Sequence, residues 1–288
     1  MDPGAVPLHA LDTGRIPEAL LLSAEPGWNQ VAADWRLMIE NGDSFGVSTE
    51  AGRLIASGLT VMFDGPFGWI SMILVTQEFQ RRGLATRLMR SCMDALRGHG
   101  LTPGLDASPE GREVYLRLGF RDIYRTTRMF APNAAAAIAG SAGTLTGIRS
   151  MSAEDLPAVI ACDLNPCGAD RSYLLKHLHG RLPAAAFLSE RDGRVNGYVL
   201  ARDGRTCAQV GPLIAEDTET AVTLLGRAFN AIPGPVCLDI ADHHEPIRIW
   251  LDSRGFSPVV GFMRMVHERS VPYDDPGRVF VIAGPELG

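Results

Sequence analysis

The sequence predicts an α/β (α+β) protein made of two domains in tandem, each with a central sheet flanked by helices. Its 288 residues exceed the usual size of one domain, which is roughly 100 to 200 residues. A stretch without charge at residues 131–147 separates two segments of similar length. We therefore expect one domain at 1–130, a linker at 131–147 and a second domain at 148–288.

The two segments share short matches in the same order, which is the signature of an internal repeat. Because the distance between matching positions shrinks along the chain, the pattern indicates a duplication followed by small deletions. The matches are Gly52-Arg53-Leu54 with Gly193-Arg194-Val195 (141 residues apart), Leu74-Val75 with Leu213-Ile214 (139), and Gly119-Phe120 and Arg128-Met129 with Gly255-Phe256 and Arg264-Met265 (both 136).

Composition and charge exclude several classes of function. The net charge is −6, Lys176 is the only lysine and no dense basic run occurs, so nucleic acid is not an expected partner. No apolar run reaches the roughly 20 residues of a membrane span, and the N-terminus lacks the basic region of a signal peptide. We expect a cytoplasmic protein without a membrane partner.

Metal and hydrolase chemistry also lack sequence support. The five cysteines are odd in number and show no CxxC spacing, so we interpret them as small buried residues and expect no metal. Neither His177 with His179 nor His243 with His244 has a spacing suited to metal binding. The serine hydrolase motif GxSxG and the Walker phosphate loop are both absent.

The first segment contains a strand, a glycine turn and a helix in succession. Residues 69–75, WISMILV, are almost continuously apolar, as in a strand covered on both faces. After the turn at residues 80–85, apolar residues recur with helical spacing as far as Leu96, and the helix is expected to end near Gly98. The residues of this apolar face are Ala85, Leu88, Met89, Cys92 and Leu96.

A helix that begins after such a turn is a potential anion site. Its first backbone N–H groups have no intrahelical acceptor and lie at the positive end of the helix dipole. Gly83 allows close approach of a pyrophosphate, Ala85 leaves room beside it, and Arg81 or Arg82 adds charge-assisted bonds. Gln80 is placed to order the turn.

Gln80, Gly83 and Ala85 match the pattern Gln or Arg, two residues, Gly, one residue, Gly or Ala, and here the chain resembles the GNAT superfamily. The resemblance implies that each domain has a mixed, mostly antiparallel central sheet, and that acetyl-CoA is the acyl donor. The positions that it assigns to the acetyl-CoA site are Leu74, Val75, Gln80, Arg81, Arg82, Gly83, Leu84, Ala85, Thr86, Ser108 and Gly111.

Two catalytic roles follow from the same resemblance. Tyr115 would donate a proton to the departing CoA thiolate, and the alternative is a tyrosine that packs at the edge of a core. Val75 would bind the thioester carbonyl through its backbone N–H. Ser108 and Gly111 replace the family's usual Asn and Ala. The general base stays open between Glu78, Asp106 and a water chain.

The second segment retains the pattern but not the turn. Its equivalent stretch, residues 213–221, has no glycine and carries three carboxylates, which should repel pyrophosphate. The whole chain resembles bacterial tandem GNAT proteins with an active first domain and a degenerate second one. Gly27-Trp28-Asn29-Gln30 and the ending at residues 284–288 belong to that resemblance.

These observations predict an N-acetyltransferase that moves the acetyl group of acetyl-CoA directly to a primary amine of a small molecule. Trp28, Asn29 and Trp35 are candidates for the amine pocket, while packing beneath a helix is an equal explanation for the two tryptophans. Two alternatives stay open, a non-catalytic acyl-CoA sensor and an acetyltransferase for protein N-termini or lysines. The chain is expected to be a monomer or a homodimer.

Overall fold

The computed structural model describes residues 7–137 and 147–288. The chain divides after Leu105 into two compact units, the second of which runs from Asp106 to Glu286. Part of the expected linker, residues 138–146, lies outside the described residues. The expected domain limits at 130 and 148 differ from this division and stay a prediction.

The first unit is built on a sheet with the strand order β1-β2-β3-β4-β5. Neighbouring strands are antiparallel except β4 and β5, which are parallel. The strands are β1 (His9–Ala10), β2 (Ser44–Ser48), β3 (Leu54–Met62), β4 (Phe67–Val75) and β5 (Thr102–Ala107), and the helices are α1 (Ile16–Ala24), α2 (Ala32–Glu40) and α3 (Leu84–Gly98).

The second unit begins with the end of β5. Its helices are α4 (Pro109–Arg117), α5 (Ala134–Ala137), α6 (Leu156–Cys167), α7 (Ser172–Arg181), α8 (Thr218–Ala231) and α9 (Glu245–Ser253). Its strands are β6 (Phe120–Ala131), β7 (Ile148–Ser150), β8 (Phe187–Arg191), β9 (Arg194–Arg202), β10 (Ala208–Ala215), β11 (Val236–Ala241), β12 (Ser257–His267) and β13 (Val279–Val281).

Strand β6 pairs antiparallel with both β11 and β12, so it lies between them in the second unit. The strand order there is β12-β6-β11-β13-β10-β9-β8-β7. Only β10 and β11 are parallel among the pairings described in this unit. The expected mixed, mostly antiparallel sheets flanked by helices are therefore confirmed.

The element order repeats, as the sequence matches predict. A strand, two helices, three strands and then helix, strand, helix, strand occur from β1 to β6 and again from β7 to β12. The matched glycines share backbone conformation, because Gly52 and Gly193 have φ of +85° and +74°, and Gly119 and Gly255 have φ of +92° and +78°. These values lie in the left-handed region, which favours glycine.

Helix α3 packs on the sheet of the first unit through the apolar face that the sequence indicates. Leu88, Met89, Cys92 and Leu96 are completely inaccessible to solvent. Leu84 and Leu88 join a cluster with residues of β2 and β3. This packing fixes the start of α3 relative to the end of β4, which places the glycine turn.

Candidate active site

Strand β4 contains a bulge at Met72 and Ile73. Ser71 is opposite Leu59 and Leu74 is opposite Ser57, so two residues of β4 face a single residue of β3. Met72 is buried and has a φ of +52°, a conformation that costs a residue other than glycine about 1–2 kcal/mol. Backbone strain of this kind is concentrated at functional sites.

The bulge sets the direction of the Val75 backbone. Residues of an antiparallel ladder alternate between bonding to the partner strand and pointing the other way, and one extra residue reverses that alternation. The N–H of Thr76 donates to the carbonyl of Ile55 at 2.9 Å, so the neighbouring Val75 directs its N–H and C=O away from β3. Consistently, Gln80 Nε2 donates to the Val75 carbonyl at 3.1 Å.

The edge that Val75 faces is open in the described part of the first unit. Pairing between β4 and β5 covers only Phe67 to Trp69. Beyond Trp69 the two parallel strands make no further described pairs with each other. The Val75 N–H therefore points to an edge where it can donate to a carbonyl oxygen or an oxyanion.

The turn after β4 presents the beginning of α3. Gly83 is the N-terminal cap residue, has a φ of +81° and supplies no side chain to bond the first N–H groups. The first bond along the helix runs from Arg87 N–H to Gly83 O at 3.1 Å. No atom lies within 4 Å of the place where a Cβ on Gly83 would stand. The N–H groups of Leu84, Ala85 and Thr86 precede the first bond along the helix and lie at the positive end of the helix dipole.

Polar side chains around the turn hold its shape. Gln80 ties the turn to Val75, as described above, while Arg82 donates to the carbonyl of Glu78 at 3.0 Å and lies over the ring of Phe79 at 5.0 Å. Arg81 is exposed and has a φ of +60°. A turn with exposed N–H groups, two guanidinium groups and an unobstructed glycine fits a pyrophosphate.

Ser108, Gly111 and Tyr115, which the family resemblance assigns to the site, belong to α4 and its N-terminal cap in the second unit. Ser108 caps the helix, because its Oγ accepts from the N–H of Gly111 at 3.3 Å. The ring of Tyr115 lies against Gly111, where a Cβ would be only 2.8 Å from Cε2. Tyr115 is half-buried and its ring centroid is 6.2 Å from that of Phe120. A glycine at 111 thus leaves the space that the tyrosine ring fills.

In the second half, the turn equivalent to the glycine turn before α3 leads into α8, and a carboxylate caps this helix. Asp217 caps α8, with Oδ1 accepting from Thr220 N–H at 2.8 Å and Oδ2 accepting from Arg191 at 3.1 Å. Burial raises the pKa of Asp217, but its hydrogen bonds with Thr220 and Arg191 outweigh burial and lower the pKa overall. An ionised side chain therefore already bonds to the N-terminus of this helix.

The three candidates for the amine pocket lie in different environments. Trp35 is completely buried and its Nε1 donates to Ser23 Oγ at 3.2 Å, which is the arrangement that packing beneath a helix predicts. Asn29 is buried, and Trp28 is 36% exposed. Their role towards a substrate stays a prediction.

The two carboxylates considered as a base are both engaged. Glu78 forms an exposed ion pair with Arg53 at 2.5 Å. Asp106 has a fully buried side chain whose two oxygens accept from Arg264 at 3.1 and 2.9 Å. Burial raises the pKa of Asp106, although Arg264 opposes that effect.

Arg264 belongs to a buried polar network that the sequence does not reveal. Its Nη1 donates to Asp274 at 2.9 Å and to the hydroxyl of Tyr124 at 3.1 Å, and Tyr124 also donates to Asp274. Asp106 and Arg264 are 158 residues apart in the chain, so no local pattern could have connected them.

The bulge at Met72, by contrast, left a signal in the sequence. The second half carries Gly211-Pro212 inside β10, 139 residues after Met72-Ile73. These two residues also face a single residue of the neighbouring strand, because Val210 is opposite Ala201 and Leu213 is opposite Val199. Glycine and proline inside a strand pattern indicate a bulge, and the repeat carries that inference back to β4.

Two negative findings apply to residues 7–137 and 147–288. No group of three or more His, Cys, Asp or Glu side chains there is arranged to hold a metal ion. None of the helices in those ranges combines the length and the apolar character that crossing a membrane requires.

The chain is similar to two known acyltransferases over most of its length. The chain is 24% identical over 270 residues to the uncharacterized N-acetyltransferase YitH of Bacillus subtilis, covering 93% of this chain and 94% of the relative. It is 25% identical over 237 residues to the holothin acyltransferase of a Pseudoalteromonas species, covering 81% and 78% of the two chains.

Two solved structures share the fold. A candidate acetyltransferase of Pyrococcus horikoshii superposes with a TM-score of 0.78 at 18% identity, over 98% of this chain and 96% of that one. A tandem GNAT protein from the clavulanic acid biosynthesis pathway gives 0.63 at 14% identity, over 91% and 98%. At these identities the likeness concerns the fold alone.

Two family models match the sequence in succession. The acetyltransferase (GNAT) family matches residues 17–120, and the acetyltransferase (GNAT) domain matches residues 159–281. Members of this family are acyltransferases that generally take acetyl-CoA as donor. The chain belongs to the GNAT acetyltransferases and carries two GNAT domains in tandem.

Proposed function

We propose that the protein transfers the acetyl group of acetyl-CoA directly to a primary amine of a small molecule, in the cytoplasm and as a monomer or homodimer. The main support for the proposal is the geometry at the start of α3. Gly83 leaves its N-terminus without a side-chain cap and with open space above it. A pyrophosphate bound there would accept bonds from backbone N–H groups and from Arg81 or Arg82.

The bulged end of β4 supports the transfer step. The thioester of acetyl-CoA supplies an activated carbonyl carbon for a neutral amine. The N–H of Val75 is aimed at the open edge of β4 and would donate to the carbonyl oxygen as negative charge develops on it. Gln80 holds the Val75 carbonyl and thereby fixes the orientation of the peptide group that follows Val75.

Tyr115 is proposed as the acid that protonates the CoA sulfur. This role rests on the place of Tyr115 in the motif and on its local geometry, since the ring is positioned by Gly111 and Phe120. A phenol held in one orientation is suited to donate a proton at a fixed point. Direct transfer requires no covalent intermediate with the protein.

A small acceptor is favoured by one of the related proteins. This relative is a holothin acyltransferase, and its name refers to a small molecule. We therefore place an amine-bearing small molecule ahead of a protein N-terminus or lysine as the acceptor.

The test measures acetyl-CoA binding and CoA release across a panel of amines, amino acids and peptides for Gly83→Glu and a matched control. Gly52→Glu is that control, because Gly52 also has a positive φ, of +85°, and open space around its Cβ position. Both variants carry the same backbone strain and charge. Only Gly83→Glu should weaken binding, by roughly 30-fold or more, since like charges in close contact cost several kcal/mol.

Each outcome has a defined meaning. Equal binding by both variants would contradict a pyrophosphate site at α3. Binding by the parent without turnover on any amine would instead identify a sensor, and turnover confined to peptides would identify a protein acetyltransferase. For the acid, Tyr115→Phe should lower kcat by about 100-fold or more without weakening acetyl-CoA binding; unchanged kcat would leave Tyr115 with a packing role.

A further inference from the structure

Two of the five cysteines lie side by side in the second unit. Strands β10 and β11 are parallel, with Gln209 opposite Cys237. Cys207 immediately precedes β10, and the N–H of Ala208 donates to Pro235 O at 3.0 Å, which fixes the two chain segments next to each other. The sulfur atoms of Cys207 and Cys237 are 3.1 Å apart, and no disulfide bond joins them.

The two thiols differ in acidity. The hydrogen bond between the two thiols lowers the pKa of Cys207, against the opposing effect of burial. The same bond and burial raise the pKa of Cys237. Arg128 favours the thiolate in both residues, while Asp239, its ion-pair partner, opposes it. Of the two thiols, Cys207 is therefore the one that ionises more readily, and the thiolate is the reactive form.

The other three cysteines show none of these features. Burial raises the pKa of Cys92, of Cys162 to about 11, and of Cys167 to about 12. Cys162 is the more exposed residue, but it lacks a neighbouring thiol, whereas the buried Cys207 follows the exposed residues Arg205 and Thr206. The Cys207 side chain therefore lies beside an exposed turn, and its oxidation calls for a small oxidant.

We propose that Cys207 and Cys237 form a redox-active dithiol, which hydrogen peroxide or another small hydroperoxide converts to an intramolecular disulfide. The Cys207 thiolate attacks a peroxide oxygen, an S–O bond forms, the O–O bond breaks, and hydroxide leaves from hydrogen peroxide or an alkoxide from another hydroperoxide. Cys237 then attacks the sulfur of the Cys207 sulfenic acid, the S–S bond forms, and the oxygen leaves as water with the Cys237 proton.

Together, these two reaction steps transfer two electrons from the thiols to the peroxide. A disulfide bond measures about 2.05 Å, so the sulfurs must approach by about 1 Å from their separation of 3.1 Å. The bond would close a loop that contains the whole of α8 between β10 and β11. Closing such a loop lowers the conformational entropy of the unfolded chain. The oxidised protein should therefore unfold at a higher temperature than the reduced one.

Mass spectrometry of the full-length protein tests the proposal directly. The reduced chain is treated with hydrogen peroxide, remaining thiols are alkylated, and the protein is cleaved after arginine without reduction. Cys207 and Cys237 then fall in separate peptides, residues 206–227 and 228–248, each with one cysteine. We expect these two peptides to appear joined, and dithiothreitol to separate them.

Variants assign the order of events. Cys207→Ser should lose peroxide-sensitive thiol oxidation by roughly tenfold or more, because the reactive thiolate is removed. Cys237→Ser should accumulate a sulfenic acid at Cys207 that dimedone traps, and Cys92→Ser should still form the joined peptides. Thermal unfolding checks that each variant folds, but the parent protein decides the outcome by itself. Peptides that stay separate after peroxide, or join equally well between different molecules, would overturn the proposal.

Discussion

The ring of Tyr115 occupies the space in which a Cβ of residue 111 would lie. A residue other than glycine at this position would therefore have to displace the ring. A Cβ on Gly111 would be 2.8 Å from Cε2, 3.0 Å from Cζ and 3.1 Å from the hydroxyl oxygen of Tyr115. The two residues are four apart on α4, where helical side chains lean back over the preceding turn. The replacement of the family's usual alanine by Gly111 is thus coupled to the placement of the proposed acid.

Gly111→Ala should therefore lower kcat, by an amount smaller than that of Tyr115→Phe but several-fold or more, because the hydroxyl is displaced rather than removed. Acetyl-CoA binding should change little. Steady-state kinetics with separate kcat and KM values measure both effects. Gly226→Ala in α8 is the control, since its Cβ would meet no atom within 4 Å; it should gain up to about 1 kcal/mol of stability and leave kcat unchanged. Equal kcat for the parent and Gly111→Ala would contradict the positioning role.

Local patterns in the sequence were sufficient for the elements around the site. The apolar run at 69–75 lies within β4, and the helical spacing predicted α3 almost to its observed ends, Leu84 and Gly98. Apolar periodicity and glycine report directly on exposure and backbone conformation. The internal repeat in the sequence then predicted that the two halves share one fold.

What the sequence did not reveal depends on tertiary structure. Met72 has a positive φ but lies in an almost continuously apolar run, so the alternation that directs Val75 could not be read from β4 alone. The Asp106–Arg264 pair and the adjacent Cys207 and Cys237 result from strand register, which brings distant residues together. The sequence predicts only that the cysteines are small buried residues, and their spacing in the chain does not show that Cys207 and Cys237 are neighbours.

Asp106→Asn should test whether this carboxylate is a base or part of a structural network. Its two oxygens accept from buried Arg264, and breaking a buried ion pair costs about 3–5 kcal/mol. We expect a loss of stability of that order in denaturant unfolding, while the pH profile of kcat/KM keeps its shape. Glu78→Gln is the exposed control and should change stability by less than about 0.5 kcal/mol. Loss of the ascending limb of the pH profile in Asp106→Asn would instead identify Asp106 as the base.

His244 should make folding sensitive to mild acid. Burial, followed by the charge of His243, lowers the pKa of His244 from 6.5 to about 4, and His244 Nε2 lies 3.0 Å from the carbonyl of Val279. The unfolded chain binds the proton first as pH falls, so the stability due to neutral His244 is complete above pH 6.5 and is lost progressively towards pH 4. Thermal unfolding at pH 7 and pH 5 should show a smaller decrease for His244→Gln than for the parent. The exposed His99→Gln should behave like the parent, and an equal decrease in all three proteins would contradict the assignment.

The turn before α3 and the equivalent turn before α8 differ in whether a side chain caps the helix, and Asp217 is the residue that caps α8. Gly83 leaves the start of α3 uncapped, whereas the Asp217 carboxylate bonds to Thr220 N–H at 2.8 Å at the start of α8. Because the second turn also lacks glycine and retains Glu216 and Glu219, removal of one carboxylate should not create a binding site. Isothermal titration should give one CoA per chain for the parent and for Asp217→Ala.

The same variant should lose about 1 kcal/mol of stability, because alanine cannot cap the helix. Asp217→Ser keeps a capping oxygen without the charge and should retain most of the parent's stability. If Asp217→Ser bound a second CoA, the carboxylate alone would be what excludes the ligand from the second domain. If the parent already bound two, the second domain would retain its donor site and the proposed division of roles between the two copies would fail.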